Sequence, residues 1–375
     1  MVAPQKRLME IWVPYGDVES LVTLMQENLG ETIDPKPESH LDEMVVPLSE
    51  KMKGVGHVLI CDTKPATLKT VKALLAKVPR EGVKFVSSNP RKVEAAIPEL
   101  KEVVERLRPP GEQAPGSEEK GGKVSQDIAG AGRKFAISTG EPDPLFGFVD
   151  APIALALGCI AGARRLGYRK RDGDGARPLR EDSPSYAAVH QEADAVQGVD
   201  YATIITRGGE PYSIVEGDSV KQARAHYLSA EIPQAKGLVV GAGGRGYDDT
   251  LSHAMRLSLG ALNGVRKGGE VVLVAECRDG VGSEALQMYL TGRMTESFLR
   301  KGAYVEGLEE ISYITELNER YSVTLLSSLP ELYAGGKLRF RTARGSGEAL
   351  GKVFSAAGRG AKLNVVTRAC ETVLP

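Results

Sequence analysis

Short apolar runs that alternate with helically spaced segments constrain this chain most. HVLICD (57–62) is followed by residues 66–79, where Leu68, Val71, Leu74, Leu75 and Val78 recur at helical spacing. VKFVSS (83–88) reads as the next strand by its β-branched and aromatic content, and Val93, Ile97, Leu100, Val104 and Leu107 then predict a second helix. A β-α-β-α order needs parallel strands joined by crossover helices, the arrangement of a doubly wound α/β sheet. Function in such sheets sits at the carboxyl ends of the strands. The residues before 57 read as a polar opening.

The rhythm continues to the end of the chain. KFAIST (134–139), YATIIT (201–206), GLVVGAG (237–243) and EVVLVAE (270–276) read as strands, with helices predicted over 219–228 and 248–265. SYITEL (312–317), VTLLSS (323–328), LRFRT (338–342) and LNVVT (363–367) add further strands. With 375 residues the chain is long enough for two domains, and we place them at 1–230 and 231–375. Three segments stand apart. Residues 108–132 carry Pro, Gly and charge without an apolar period, which predicts a flexible insertion. GEPDPLFGFVDAP (140–152) gathers turn formers with Asp143, Phe146, Phe148 and Asp150 and reads as an active-site loop, though Asx turns account better for both acids. The stretch 164–180 holds seven basic side chains and reads as a solvated loop that could also meet a partner.

Lys plus Arg total 48 against 49 Asp plus Glu, so no global positive field draws in nucleic acid. The apolar run Ala151–Ala163 falls short of the roughly 20 residues a spanning helix needs, and MVAPQKRLMEIWVPYG lacks a secretory pattern. A cytoplasmic protein without a membrane segment is the expectation. Cys61, Cys159, Cys277 and Cys370 form no C-x-x-C pair and read as buried thiols.

Gly241-Ala242-Gly243-Gly244-Arg245-Gly246 satisfies G-x-G-x-x-G between a strand and a helix, and Glu276 ends the next strand. That is the pattern of an NAD-dependent dehydrogenase, in which glycines admit a pyrophosphate and an acid holds a ribose hydroxyl. Two features oppose it. The acid lies 30 residues past the last glycine instead of about 20, and Asp248 and Asp249 place negative charge where phosphate would sit. A plain strand-to-helix turn with Asp248 as the helix cap explains the same residues.

The segment 241–286 resembles the carboxyl-terminal domain of the nickel-dependent lactate racemase family. Gly243-Gly244, Asp248, Gly268-Gly269, Ala275, Cys277 and Asp279-Gly280-Val281-Gly282 stand where that family has a glycine loop, G-G-Y-P-L-D, a G-G turn, a strand ending in Ala and Cys, and D-G-x-G. Residues 176–228 are similar to the family's N-x-x-R-E-D helix, V-D-F strand and G-D-x-x-x-A helix. Asp62-Thr63-Lys64-Pro65 matches its D-x-T-R-P turn, and 87–97 its G-T-H-R-P segment. The resemblance implies two α/β domains with an inter-domain cleft, and racemisation of a 2-hydroxy acid at a nickel pincer nucleotide tethered to lysine.

The family's chemical positions are altered in this sequence. Asn89 stands at one catalytic histidine, Asp143 at the other and Ile153 at the tethering lysine; no lysine occurs between Lys134 and Lys170, and no histidine between His57 and His190. The Asn89 amide can hydrogen-bond but cannot exchange a proton at neutral pH. Toward the implied cleft the chain offers Lys64, Arg91, His253 and Arg256, the last two an i,i+3 pair able to hold a carboxylate or phosphate. The first reading is therefore a divergent member that binds an anionic metabolite without a metal or cofactor, with His253 and Asp143 as the candidate catalytic residues. The alternatives are an active nickel-pincer racemase with other ligands, such as His190 or His226, and a non-catalytic partner-binding or regulatory protein.

Overall fold

The computed structural model describes residues 7–78, 81–106, 132–160, 162–173, 178–215, 219–294 and 304–375. The expected insertion at 108–132 lies outside them except for Gly132. Two compact units form, one from residues up to Pro35 together with Tyr227–Pro375, the other from Lys36 to His226. We call them the split unit and the inserted unit. The first 35 residues thus join the later part of the chain.

In chain order, the split unit begins with β1 (Leu8–Tyr15), β2 (Val18–Met25) and β3 (Leu29–Ile33). The opening, read only as polar, thus supplies three strands. β1 and β2 pair antiparallel, and Ile11, Val13, Val22 and Leu24 alternate inward into the core while Trp12 and Val18 stay exposed.

The inserted unit contains β4 (Val55–Ile60), β5 (Lys84–Ser87), β6 (Val104–Arg106), β7 (Arg133–Thr139), β8 (Glu141–Asp143), β9 (Gly147–Val149), β10 (Val199–Arg207) and β11 (Glu210–Val215). Its six-stranded sheet has the order β11-β10-β7-β4-β5-β6, parallel throughout except for the β10–β11 hairpin. Val58, Ile60, Phe135 and Ile137 fill one side of this sheet and Leu59, Val86 and Ala136 the other, so both faces are buried as parallel strands require. The helical spacing read through Leu107 breaks at Pro98: a helix Pro90–Ala96 gives way to a short 3-10 turn, and Val104 enters β6. Residues expected as a basic loop begin as a helix, Ala163–Lys170, with Ala163 and Gly167 buried.

The split unit resumes with β12 (Ala235–Gly241), β13 (Val265–Val274), β14 (Ser322–Leu326), β15 (Arg341–Ala343) and β16 (Leu363–Val366). Its sheet is fully parallel in the order β15-β14-β13-β12-β16-β3. SYITEL, read as a strand, lies inside the helix Leu308–Arg320, where Glu310, Tyr313, Ile314 and Leu317 bury one stripe. The stripe outweighs the β-branched Ile and Thr that suggested a strand. Among the described residues no helix is long and apolar enough to cross a membrane.

Candidate functional site

In the inserted unit the chain leaves β4 toward β5 and β6 on one side and continues through β7 and β10 on the other. The order reverses between β4 and β7, and crevices at such reversals are where α/β sheets bind ligands. Asp62-Thr63-Lys64 occupies the carboxyl end of β4. Asp62 Oδ2 accepts the Thr139 N–H at 2.7 Å and Oδ1 accepts the Lys64 N–H at 2.9 Å, which ties the ends of β4 and β7 together. Thr67 and Thr139 share a hydroxyl hydrogen bond of 2.7 Å.

Lys64 precedes the helix Pro65–Leu75, whose first-turn proline fixes the entry, and only 7% of the lysine is exposed. Its ammonium donates to the Thr139 carbonyl at 2.9 Å and pairs with Glu141 Oε2 at 3.1 Å and Asp62 Oδ2 at 3.7 Å. Sequence reasoning singled out Lys64 and Asp62 but missed Thr139 and Glu141. Their position just after a buried strand was the available signal.

The segment read as an active-site loop is a buried hairpin. β8 and β9 pair antiparallel, Asp143 Oδ1 accepts the N–H groups of Leu145 and Phe146 at 2.8 and 3.0 Å, and Phe146 and Phe148 are buried. Asp143 serves this turn, so its proposed catalytic role receives no support from the geometry. Asp150 caps the helix Ala151–Cys159 through Ile153 N and accepts the Tyr186 hydroxyl at 2.5 Å. Asn89 caps Pro90–Ala96 by accepting the Lys92 N–H at 3.2 Å, and Arg91 is exposed on that helix.

At the split unit's own reversal, between β12 and β16, the glycine loop is already filled. A Cβ on Gly243 would lie 2.4 Å from Cys370 Sγ, and one on Gly244 would lie 3.0 Å from Pro14 Cβ. The Arg245 N–H donates to the Gly16 carbonyl at 2.9 Å, the Gly246 N–H to Asp249 Oδ1, and the Asp248 N–H to the Gly244 carbonyl. The backbone donors from Arg245 to Asp248 are already engaged within the unit, and the β1–β2 turn meets the loop at Arg245. The dehydrogenase reading loses its physical basis here. Arg368, which the sequence reading missed, donates to the Gly243 carbonyl at 3.0 Å from the end of β16.

Asp248 is not the helix cap. Thr250 caps Leu251–Ser258, while buried Asp248 accepts N–H groups from Gly16 at 2.8 Å and Glu276 at 3.2 Å. Asp279 donates its N–H to the Asp249 carbonyl and is exposed. Burial is the main force raising the pKa of Asp248, and of Glu276 and Asp150, above ordinary carboxyl values; it also takes the Tyr15 phenol up to about 12. A carboxyl whose folded-state pKa is raised adds stability below its unfolded value and loses that contribution as pH rises through the folded value. Asp248→Asn should therefore melt above the parent chain near neutral pH, with the gap closing toward about pH 4. Paired calorimetric scans across this range check it; a gap that widens on acidification refutes it.

His253 and Arg256 share the helix Leu251–Ser258 as expected, and the His253 and Tyr247 rings are 6.4 Å apart. Arg256 is committed inside the unit: its Nε lies 3.7 Å from Oε1 of buried Glu310, whose carboxylate also accepts the Ser252 and Ser283 hydroxyls. The arginine expected to hold a ligand anion already has one.

The residues present do not fit a nickel pincer nucleotide. Ile153, at the tether position, is buried in an apolar cluster. Asp143 and Asn89 are engaged in a turn and a helix cap. Among the described residues no three His, Cys, Asp or Glu side chains gather as a metal site.

No protein-family model matches the sequence, and comparison with curated proteins finds no match. Solved structures do share the fold. The lactate racemase apoprotein from Thermoanaerobacterium thermosaccharolyticum superposes with a TM-score of 0.73 at 15% identity, covering 98% of this chain and 100% of its own. A structural-genomics protein from Thermotoga maritima gives 0.59 at 12% identity, covering 92% and 100%. The chain has a lactate-racemase-like α/β fold.

Proposed function

We propose that the chain is a lactate-racemase-like protein that binds a small carboxylate-bearing metabolite at the β4/β7 reversal, with Lys64 as the cation, and that it does so without a nickel pincer nucleotide. The observation that carries this reading is the nearly buried ammonium of Lys64, held by groups at the carboxyl ends of β4 and β7. A lysine so placed is oriented before a ligand arrives, which lowers the entropy lost on binding. Asp62 fixes the two strand ends around it. The altered residues at the family's proton-transfer and tether positions support binding over racemisation by the family's route.

Two measurements test the reading. Calorimetric titration with D-lactate, L-lactate and malonate should show binding that Lys64→Gln removes; equal affinity in both chains refutes the site. Intact mass with elemental analysis, on protein from a host that makes the pincer nucleotide, should give the unmodified chain mass. A covalent adduct with stoichiometric nickel would restore the racemase reading.

A further inference from the structure

We infer that Glu141 is the resident counter-ion of Lys64, that its carboxylate occupies the place of the ligand's carboxylate, and that a ligand enters by exchange with it. The inference rests on the reading of Lys64 as the ligand's cation and adds how the site is held closed. Among the groups that meet the Lys64 ammonium, three differ in what can be displaced. The Thr139 carbonyl belongs to a paired strand. Asp62 is pinned by two backbone N–H groups, so moving it would unfasten β4 from β7. Glu141 meets the ammonium at 3.1 Å with a carboxylate at the end of a flexible side chain.

The charges support an exchange over simple addition. Asp62, Glu141 and Lys64 sum to one negative charge, so a further anion added beside them would meet net repulsion. Replacing one carboxylate with another leaves the charge at the ammonium unchanged when the Glu141 side chain swings away to water, and returns the ammonium an equivalent hydrogen bond. No covalent bond forms or breaks in this step. A small part of each group meets solvent, the side chains of Lys64, Glu141 and Asp62 being 8%, 10% and 15% exposed. Glu141 is a tethered competitor with a high effective concentration, so the intact chain should favour ligands that offer the lysine more than one carboxylate's worth of contact.

Chemical rescue tests this without knowledge of the natural ligand. Glu141→Ala removes the internal carboxylate and leaves room for acetate, with Glu141→Ser in reserve if the alanine chain folds poorly. Melting temperature is followed in acetate against chloride at constant ionic strength. E141A should gain stability along a saturable acetate curve, with affinity at least about tenfold above that of the parent chain, and E141A carrying Lys64→Met should show no gain. An E141A chain that responds like the parent overturns the exchange, and leaves the Lys64 site standing if lactate or malonate binding still depends on Lys64. A saturable response that persists in the double variant shows that the anion sits elsewhere, and both readings then fall.

Discussion

Replacing Lys64 with methionine is expected to lower the unfolding free energy by about 3 kcal/mol, the scale on which losing one partner of a buried ion pair destabilises a protein. The effect comes less from the lost attraction than from what remains. Glu141 and Asp62 stay largely buried beside an apolar side chain, and Asp62 cannot turn to water without releasing the Thr139 and Lys64 backbone N–H groups. Removing Glu141 in the same chain should recover part of the loss, because an apolar pair in place of a buried ion pair is often nearly neutral. Urea unfolding of the two single variants and the double variant closes the cycle, with a coupling expected above 1 kcal/mol for residues in direct contact. A loss below about 1 kcal/mol for Lys64→Met would put the pair in the class of exposed ion pairs, and the lysine would not be the organising group of this crevice.

The elements that could be read from sequence are those in which local pattern and tertiary environment agree. β4, β7, β12 and β16 are buried on both faces, and their apolar runs stand out without any partner in view. The failures have the opposite character. β1 and β2 alternate apolar and polar residues, a pattern present in LMEIWVPY but masked by an exposed tryptophan, and their burial depends on a sheet formed more than 200 residues later. In the helix Leu308–Arg320 two glutamates are buried, and Glu310 satisfies its charge through Ser252, Ser283 and Arg256, none of which is local. Such compensation leaves no periodic trace.

The site follows the same rule. Lys64 and Asp62 were legible because Asp62-Thr63-Lys64-Pro65 resembles the D-x-T-R-P turn of the lactate racemase family, at the end of a strand that its apolar run already marked. Glu141 was not, since its meaning lies in a lysine 77 positions earlier that only the parallel pairing of β4 with β7 brings near. Composition reads Arg256 and the glycine loop as open, yet Glu310 and the β1–β2 turn respectively satisfy them from within the chain. Residue types announce what chemistry is available, and long-range partners decide whether it is already used.

The hairpin that carries Glu141 turns on Gly147, and Gly147→Ala is expected to cost about 3 kcal/mol. Two terms add. Gly147 has φ +83°, a left-handed conformation that costs a residue with a Cβ roughly 1–2 kcal/mol. The added carbon would also lie 2.6 Å from the Arg180 carbonyl oxygen and 3.0 Å from its nitrogen. These are backbone atoms, and the Leu179 N–H donates to the Gly147 carbonyl at 2.7 Å, so neither strand of the contact can withdraw without losing that bond. Phe146 and Phe148, both fully buried, hold the turn from either side. Gly82→Ala is the control: φ there is +77°, and nothing lies within 4 Å of the added carbon, so only the conformational cost should appear. Thermal unfolding should separate the two, with the Gly147 variant falling by roughly 2–4 °C for each kcal/mol lost and the Gly82 variant by about one to two thirds as much in total. Equal losses would mean that Arg180 yields and that the hairpin is not rigidly seated. In that event Glu141 would be carried on a movable support, and acetate should then compete with it as readily in the parent chain as in the Gly147 variant.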